Sequence, residues 1–405
     1  MKEAYLHHIW LMKRLPMHKL TLTDGRKIDV IRTGCHNHDS GPDFFNGAVR
    51  IGGIEWNGNI EMHLKSSDWY AHKHHLDAAY DNVILHVVYQ HDKLVFIGVD
   101  EIPVLELRPL IDQRHLSSFE SLVGNSRWIP CAAELPAIDP VFTSMQIESA
   151  VLHRLERKAE LLDRRFSLLG NDLRQLIYET VAQSFGTRVN ALPFVELTQR
   201  MPVKTIWREK KEVAPALLLG AAGFLENPEE TDGYRSDLRK HWQFYALKHS
   251  IRPMDKLSWK FKGLRPPGYP HVRITQFAEI ASSLHADFSV FEKSVDELSG
   301  FFFKNTKASF YPLTKSFNDL LLINSIVPLL WWWGGYKNEA AARRKALDLL
   351  EKTAPENNEI INSWKKIGIS CKSAFDSQGL LELKNEFCNN KKCLSCKIGN
   401  KILGK

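Results

Sequence analysis

In the stretch GPDFFNGAV, Gly41 and Pro42 form a turn that presents Asp43 at the mouth of a strand-like run; in NIEMHLKSSDW, Glu61, His63 and Lys65 alternate with Ile60, Met62 and Leu64. In an extended chain, side chains two apart share a face, so a carboxylate, an imidazole and an ammonium line up opposite an apolar face. Pairing the two runs through Gly52 and Gly53, with partner numbers summing to about 105, sets Asp43 opposite Met62; a one-residue bulge moves it beside Glu61 or His63. Two carboxylates held together repel unless a cation resolves them, and a hard divalent ion such as Mg²⁺ or Mn²⁺ accepts one or two carboxylates plus waters. That is the equipment of phosphodiester hydrolysis: the ion acidifies a water and polarises the phosphate, while a neighbouring cation orients the nucleophile or offsets developing charge.

The elements that must hold these groups follow from patterning. A helix over Ala4 to Lys13 precedes strand-like runs at His18 to Leu22, Lys27 to Ile31, Phe45 to Ile51 and Ile54 to Leu64, separated by glycine turns. Ser67 is placed to cap a helix over SSDWYAHKHHLDAAYDN, on which His72 and His75 share a face with Asp68. VILHVVYQ is a β-branched run, and KLVFIGV can pair back to it as a hairpin. The order helix, strands, helix, strand predicts an α/β or α+β core.

With Pro42 and Asp43, then Glu61 and Lys65 on the following strand, this segment resembles the PD-(D/E)XK nuclease superfamily over about residues 1–100. The resemblance implies that Asp43 and Glu61 hold Mg²⁺ and that Lys65 serves the attacking water. The family places a single residue between acid and lysine, and here His63 stands in the lysine slot. The whole chain, with GPDFFNGAV, GNIEMHLKSSDW, YDNVILHVVY and CNNKKCLSC, also resembles an uncharacterised bacterial family of similar length.

Other residues near this segment carry chemistry of their own. Eleven of the 17 histidines lie within the first 91 residues, among them His36, His38, His63, His72, His74, His75 and His86; with Asp43 and Asp77 they form a second candidate, a zinc-dependent hydrolase of a small substrate. His86 reads as a hydrogen-bonded sheet histidine. Trp56 and Trp69 suit either base stacking or the core, and Glu3 is placed to approach the metal from the first helix.

From about Asp139, apolar residues recur at helical spacing, which predicts an all-helical middle domain reached through a linker marked by Pro130, Pro136 and Pro140. Residues 1–130 hold 14 Lys/Arg against 16 Asp/Glu, a balance of −2, so of the net charge of +7 the remaining residues carry +9. Residues 235–273 contain 10 Lys/Arg against two Asp, with interleaved aromatics. Arg239, Lys240, Trp242, Lys256, Trp259, Lys260, Lys262, Arg265 and Arg273 are therefore candidates for binding nucleic acid, cations on phosphates and aromatics on unpaired bases. A solvated basic face over buried aromatics is the competing reading. A protein that binds nucleic acid, or acts as a scaffold, without turnover is a further alternative.

Cys371, Cys388, Cys393 and Cys396 are candidates for a four-thiolate site that takes Zn²⁺ or an iron–sulfur cluster. Three domains are expected: 1–130 nuclease-like, 131–365 helical with a basic and aromatic face, and 366–405 metal-bound. The opening residues make a poor signal peptide, and the apolar stretch from Asp319 is interrupted by Asn and Pro. A cytoplasmic protein without a membrane partner is the expectation.

Overall fold

Strand-forming runs occupy the first third of the chain, and the rest is helical. The computed structural model describes residues 2–37, 40–226, 233–284, 291–302 and 312–404. The chain forms two compact units, Met1–Phe142 with Phe387–Lys405, and Thr143–Glu386. The first boundary thus falls past the expected linker prolines, and the expected third domain is divided between the units.

In the first unit, helix α1 (Glu3–Leu11) precedes strands β1 (Ile28–Arg32), β2 (Cys35–His36), β3 (Phe44–Ile51) and β4 (Ile54–Lys65). After a short helix α2 (Asp68–Ala71) come β5 (Val83–Gln90), the small pair β6 (Phe96–Ile97) and β7 (Asp100–Glu101), β8 (Val104–Glu106) and helix α3 (Gln113–Gly124). The mixed sheet runs β1-β3-β4-β5-β8, with β2 also on β3. β4 is antiparallel to β3 and parallel to β5. Lys93 to Val99 does not fold back onto β5 as expected: Phe96 and Ile97 pair with Asp100 and Glu101, and β5 takes β8 as its parallel neighbour. The run His18 to Leu22 forms a 3₁₀ turn at Met17–Lys19 and an isolated bridge from Thr21 to Lys27.

Alternation decides what each face of the sheet buries. Ile60 and Met62 on β4, with Leu85 and Val87 on β5, join Tyr5, Leu6, Ile9 and Trp10 of α1 and Phe119 of α3 in one core. Their neighbours Glu61, His63 and His86 point the other way, where Trp69 and Tyr80 belong to a smaller cluster. Ser67 does not cap α2 with its side chain; its hydroxyl donates to Asp92 at 2.8 Å.

The second unit is built from helices, among them Leu173–Phe185, Ala214–Ala221, Pro270–Ser283 and Val327–Tyr336. Its buried carboxylate Glu382 receives His153 Nδ1 at 2.9 Å and Arg157 Nη2 at 2.8 Å, and Arg154 Nη1 stands 3.8 Å away. Burial alone would raise the Glu382 pKa, but the bonds from Arg157 and His153 hold it below the usual carboxylate range. Glu382→Ala leaves the partly buried Arg154 without its carboxylate, so urea unfolding is expected to show a loss of about 1–3 kcal/mol. Because the folded pKa is depressed, the wild-type carboxylate's contribution is complete above the ordinary glutamate value and is lost as pH falls through the folded value.

Candidate metal centre

The turn between β3 and β4 is two glycines with φ of +58° and +87°, a conformation that suits a tight hairpin and that residues with a Cβ rarely adopt. From Ile51↔Ile54 to Gly47↔Gly58 the partner numbers sum to 105, as the sequence predicts. Beyond Gly47 the register shifts by one, and Phe44 faces Ile60. Asn46 sits in the shift with φ +58°, its N–H bonded to Asn59 Oδ1 and its carbonyl accepting Arg32 Nε at 2.7 Å. Asparagine is among the few residues with a Cβ that take this conformation cheaply.

The shift brings Asp43 beside Glu61. The Asp43 N–H donates to Glu61 Oε2 at 3.0 Å, and the Met62 N–H donates to Asp43 Oδ2 at 3.0 Å. Each carboxylate is thus held by main chain next to the other, which leaves Glu61 Oε1 to face the histidines. His74 Nε2 lies 3.3 Å and His63 Nε2 3.5 Å from that oxygen, and His63 Nε2 lies 3.0 Å from His72 Nδ1. On the Asp43 side, His7 Nε2 stands 3.3 Å from Oδ2 and His7 Nδ1 lies 3.2 Å from His36 Nε2.

The histidines come from α1, β4 and the segment after α2. α2 ends after four residues, and Lys73 takes a left-handed φ of +63°. This breaks the helical face expected to carry His72 and His75 together. His72 and His74 turn toward His63 instead, His74 stacks on Tyr80 at 3.8 Å, and His75 packs on Tyr70.

Burial shapes the charges. It pushes the Glu61 carboxyl up, against the pull of His74, and the Asp43 charge adds to the rise. It pushes His63 down to about 4, helped by His74 and His72, so His63 is neutral at pH 7. Burial opposes protonation of His7, but the Asp43 contact outweighs it and raises that pKa. Glu3 is raised by burial and by the charge of Asp43, which places it within electrostatic reach of the site, as the sequence suggests.

A metal ion fits these donors. Bonds of roughly 2.0–2.1 Å give ligand atoms separated by roughly 2.9–3.4 Å, close to the separations of Glu61 Oε1 from His74 Nε2 (3.3 Å) and His63 Nε2 (3.5 Å) and of His63 Nε2 from His72 Nδ1 (3.0 Å). The ring nitrogens of His63, His72 and His74 lie within 4.8 Å of one another. His63 Nδ1 meets His86 Nε2 at 2.9 Å, the type of outer contact that orients a ligating imidazole.

Other expected site residues lie elsewhere. Lys65 is exposed; its N–H binds Asp68 Oδ2, and its ammonium lies within electrostatic reach of Asp92. Asp77 caps a 3₁₀ turn through the Ala79 N–H. Trp69 is core, whereas Trp56 is 48% exposed. His38 lies outside the described residues.

In the basic segment, Trp242 and Trp259 are buried, their indole N–H groups donating to Glu226 and to the Ala222 carbonyl. They offer no free face for a base, because the helices need their apolar area. Arg273 lies over the Phe317 ring, and Arg239 donates to the Leu225 carbonyl. Lys240, Lys256, Lys260, Lys262 and Arg265 remain exposed.

Cys388, Cys393 and Cys396 line one cavity of the first unit together with Cys131. Cys371 belongs to the second unit, with its sulfur 4.0 Å from the Ser373 carbonyl. Cys131 has no nearby cysteine in the sequence, so local spacing gives no signal of its role.

A model of a family described as protein of unknown function, DUF2851, matches residues 3–359. The chain belongs to the DUF2851 family. Searches among curated proteins and solved structures find no match. The DUF2851 match includes every residue of the candidate metal centre and stops short of Cys371, Cys388, Cys393 and Cys396. In this DUF2851 protein, no helix among the described residues is long and apolar enough to cross a membrane.

The geometry turns on Asn46. Asn46→Gly keeps the left-handed conformation, whereas Asn46→Val forces a β-branched residue into it, at a cost of about 1–2 kcal/mol. Isothermal titration with Zn²⁺ or Mn²⁺ is expected to give near-native affinity for the glycine variant and weaker binding for the valine variant.

Proposed function

We propose that this protein is a metal-dependent hydrolase of phosphodiester bonds in DNA or RNA. The observation that carries the reading is the meeting of Asp43 and Glu61, held side by side across one hairpin, beside the imidazoles of His7, His63 and His74. The order helix, antiparallel strands, helix, parallel strand around them is similar to that of PD-(D/E)XK nucleases. The exposed cations of residues 240–265 add support for an anionic polymer as substrate.

The residue roles differ from the pattern of that superfamily. His63 occupies the lysine position and is neutral, so it serves as a ligand rather than as a counter-charge. Glu61, His63, His72 and His74 would hold the ion. Imidazole-rich donor sets favour Zn²⁺ or Mn²⁺ over Mg²⁺. The bound ion would supply an acidified water and polarise the phosphate. Asp43 anchors His7, whose raised pKa suits it to give a proton to the leaving oxygen. Lys65 stays outside this set. The three histidines equally favour zinc-dependent hydrolysis of a small phosphoester as a second reading.

The test is cleavage of single- and double-stranded DNA and RNA across Mg²⁺, Mn²⁺ and Zn²⁺. Glu61→Gln and Asp43→Asn are expected to lower the rate by about 100-fold or more with unchanged circular dichroism, while Lys65→Ala changes it by less than about threefold. Polymer cleavage that survives both acid substitutions removes the reading. Turnover confined to small phosphoesters selects the second reading.

A further inference from the structure

We propose that Cys131, Cys388, Cys393 and Cys396 together hold an iron–sulfur cluster that fastens the chain's last segment to the first unit. The four side chains face one cavity, walled also by Pro130 and Phe387. Cys393 and Cys396 are buried, and Cys131 is partly so. The charges of Cys396 and Cys393 are both felt at Cys131, so the three sulfurs lie within electrostatic reach of one another.

The backbone around the sulfurs is built for a charged thiolate. Main-chain N–H groups of Gly399 and Ile398 are directed at Cys396 at the start of the helix Lys397–Leu403. Such N–H···S bonds stabilise ligating sulfur. A Cβ at Gly399 would lie 2.1 Å from the Cys393 carbonyl, so the turn carrying Cys393 packs directly on that helix.

The spacing selects the cofactor. Cys388, Cys393 and Cys396 read C-x₄-C-x₂-C, the local spacing of plant-type iron–sulfur proteins, with the fourth cysteine here far upstream instead of downstream. Structural zinc sites more often gather their ligands as two short pairs. Cys371, which sequence spacing alone would enlist, contacts Ser373 in the other unit. Cys35 is exposed on β2.

The experiment is analysis of iron, acid-labile sulfide and zinc, with visible absorption, on the full chain purified without oxygen. Wild type, Cys371→Ser and Glu61→Gln are expected to contain iron and sulfide in equal amounts with a charge-transfer band. Cys131→Ser is expected to lose both. Retention in Glu61→Gln separates this site from the histidine centre, so either proposal can fail alone. Zinc without sulfide in the wild type, no metal at all, or loss of iron on Cys371→Ser would each overturn the proposal. Should Cys131→Ser fail to fold, the wild-type and Cys371→Ser measurements still decide.

Discussion

The candidate centre depends on a reciprocal exchange across the mouth of one hairpin: the Asp43 N–H bonds Glu61, and the Met62 N–H bonds Asp43. Each carboxylate satisfies a main-chain donor that the shifted register leaves without its ladder partner, and each is fixed in place by that bond. Two acids that would otherwise swing apart under mutual repulsion are therefore held side by side. The histidines complete the arrangement, but they converge only because the carboxylates supply a fixed point.

Burial sets the electrostatics around the acid pair. Glu61 is raised by burial, and His63 and His86 are lowered by it, so the interior disfavours charge of either sign on these groups. His7 is the exception, lifted by Asp43. The pattern separates a neutral His63 from a proton-bearing His7. Both adjoin the acid pair.

Much of this was legible in the chain. The Gly52-Gly53 turn and the alternation of β4 give the register to within one residue, and the coarse order of a strand-rich first part before a helical one follows from periodicity, whereas the His18–Leu22 strand and the hairpin expected of Lys93–Val99 do not form. The position of the bulge did not follow, because Asn46 is one of several polar residues able to adopt a left-handed backbone, and the choice is made by Arg32 and Asn59 from other strands. The same holds for Lys73: a run of polar residues reads as helix until its neighbours show that His74 is more useful stacked on Tyr80. Composition misplaced Trp242 and Trp259, since an aromatic among lysines looks the same whether it stacks on a base or fills a helical core. Cys131 illustrates the limit of local motifs, because its partners lie more than two hundred residues away.

The first unit is assembled from both ends of the described chain, with Thr143–Glu386 inserted between them. Arg14 shows what this requires, since its guanidinium donates to the carbonyls of Leu403 at 2.7 Å and Asn400 at 3.4 Å. As the polypeptide leaves the ribosome, that arginine must wait for the entire helical unit before its acceptors exist. The strands of the sheet all lie before the insertion and can pair early, whereas the contacts of Arg14 with Asn400 and Leu403 form only after Thr143–Glu386 has been made.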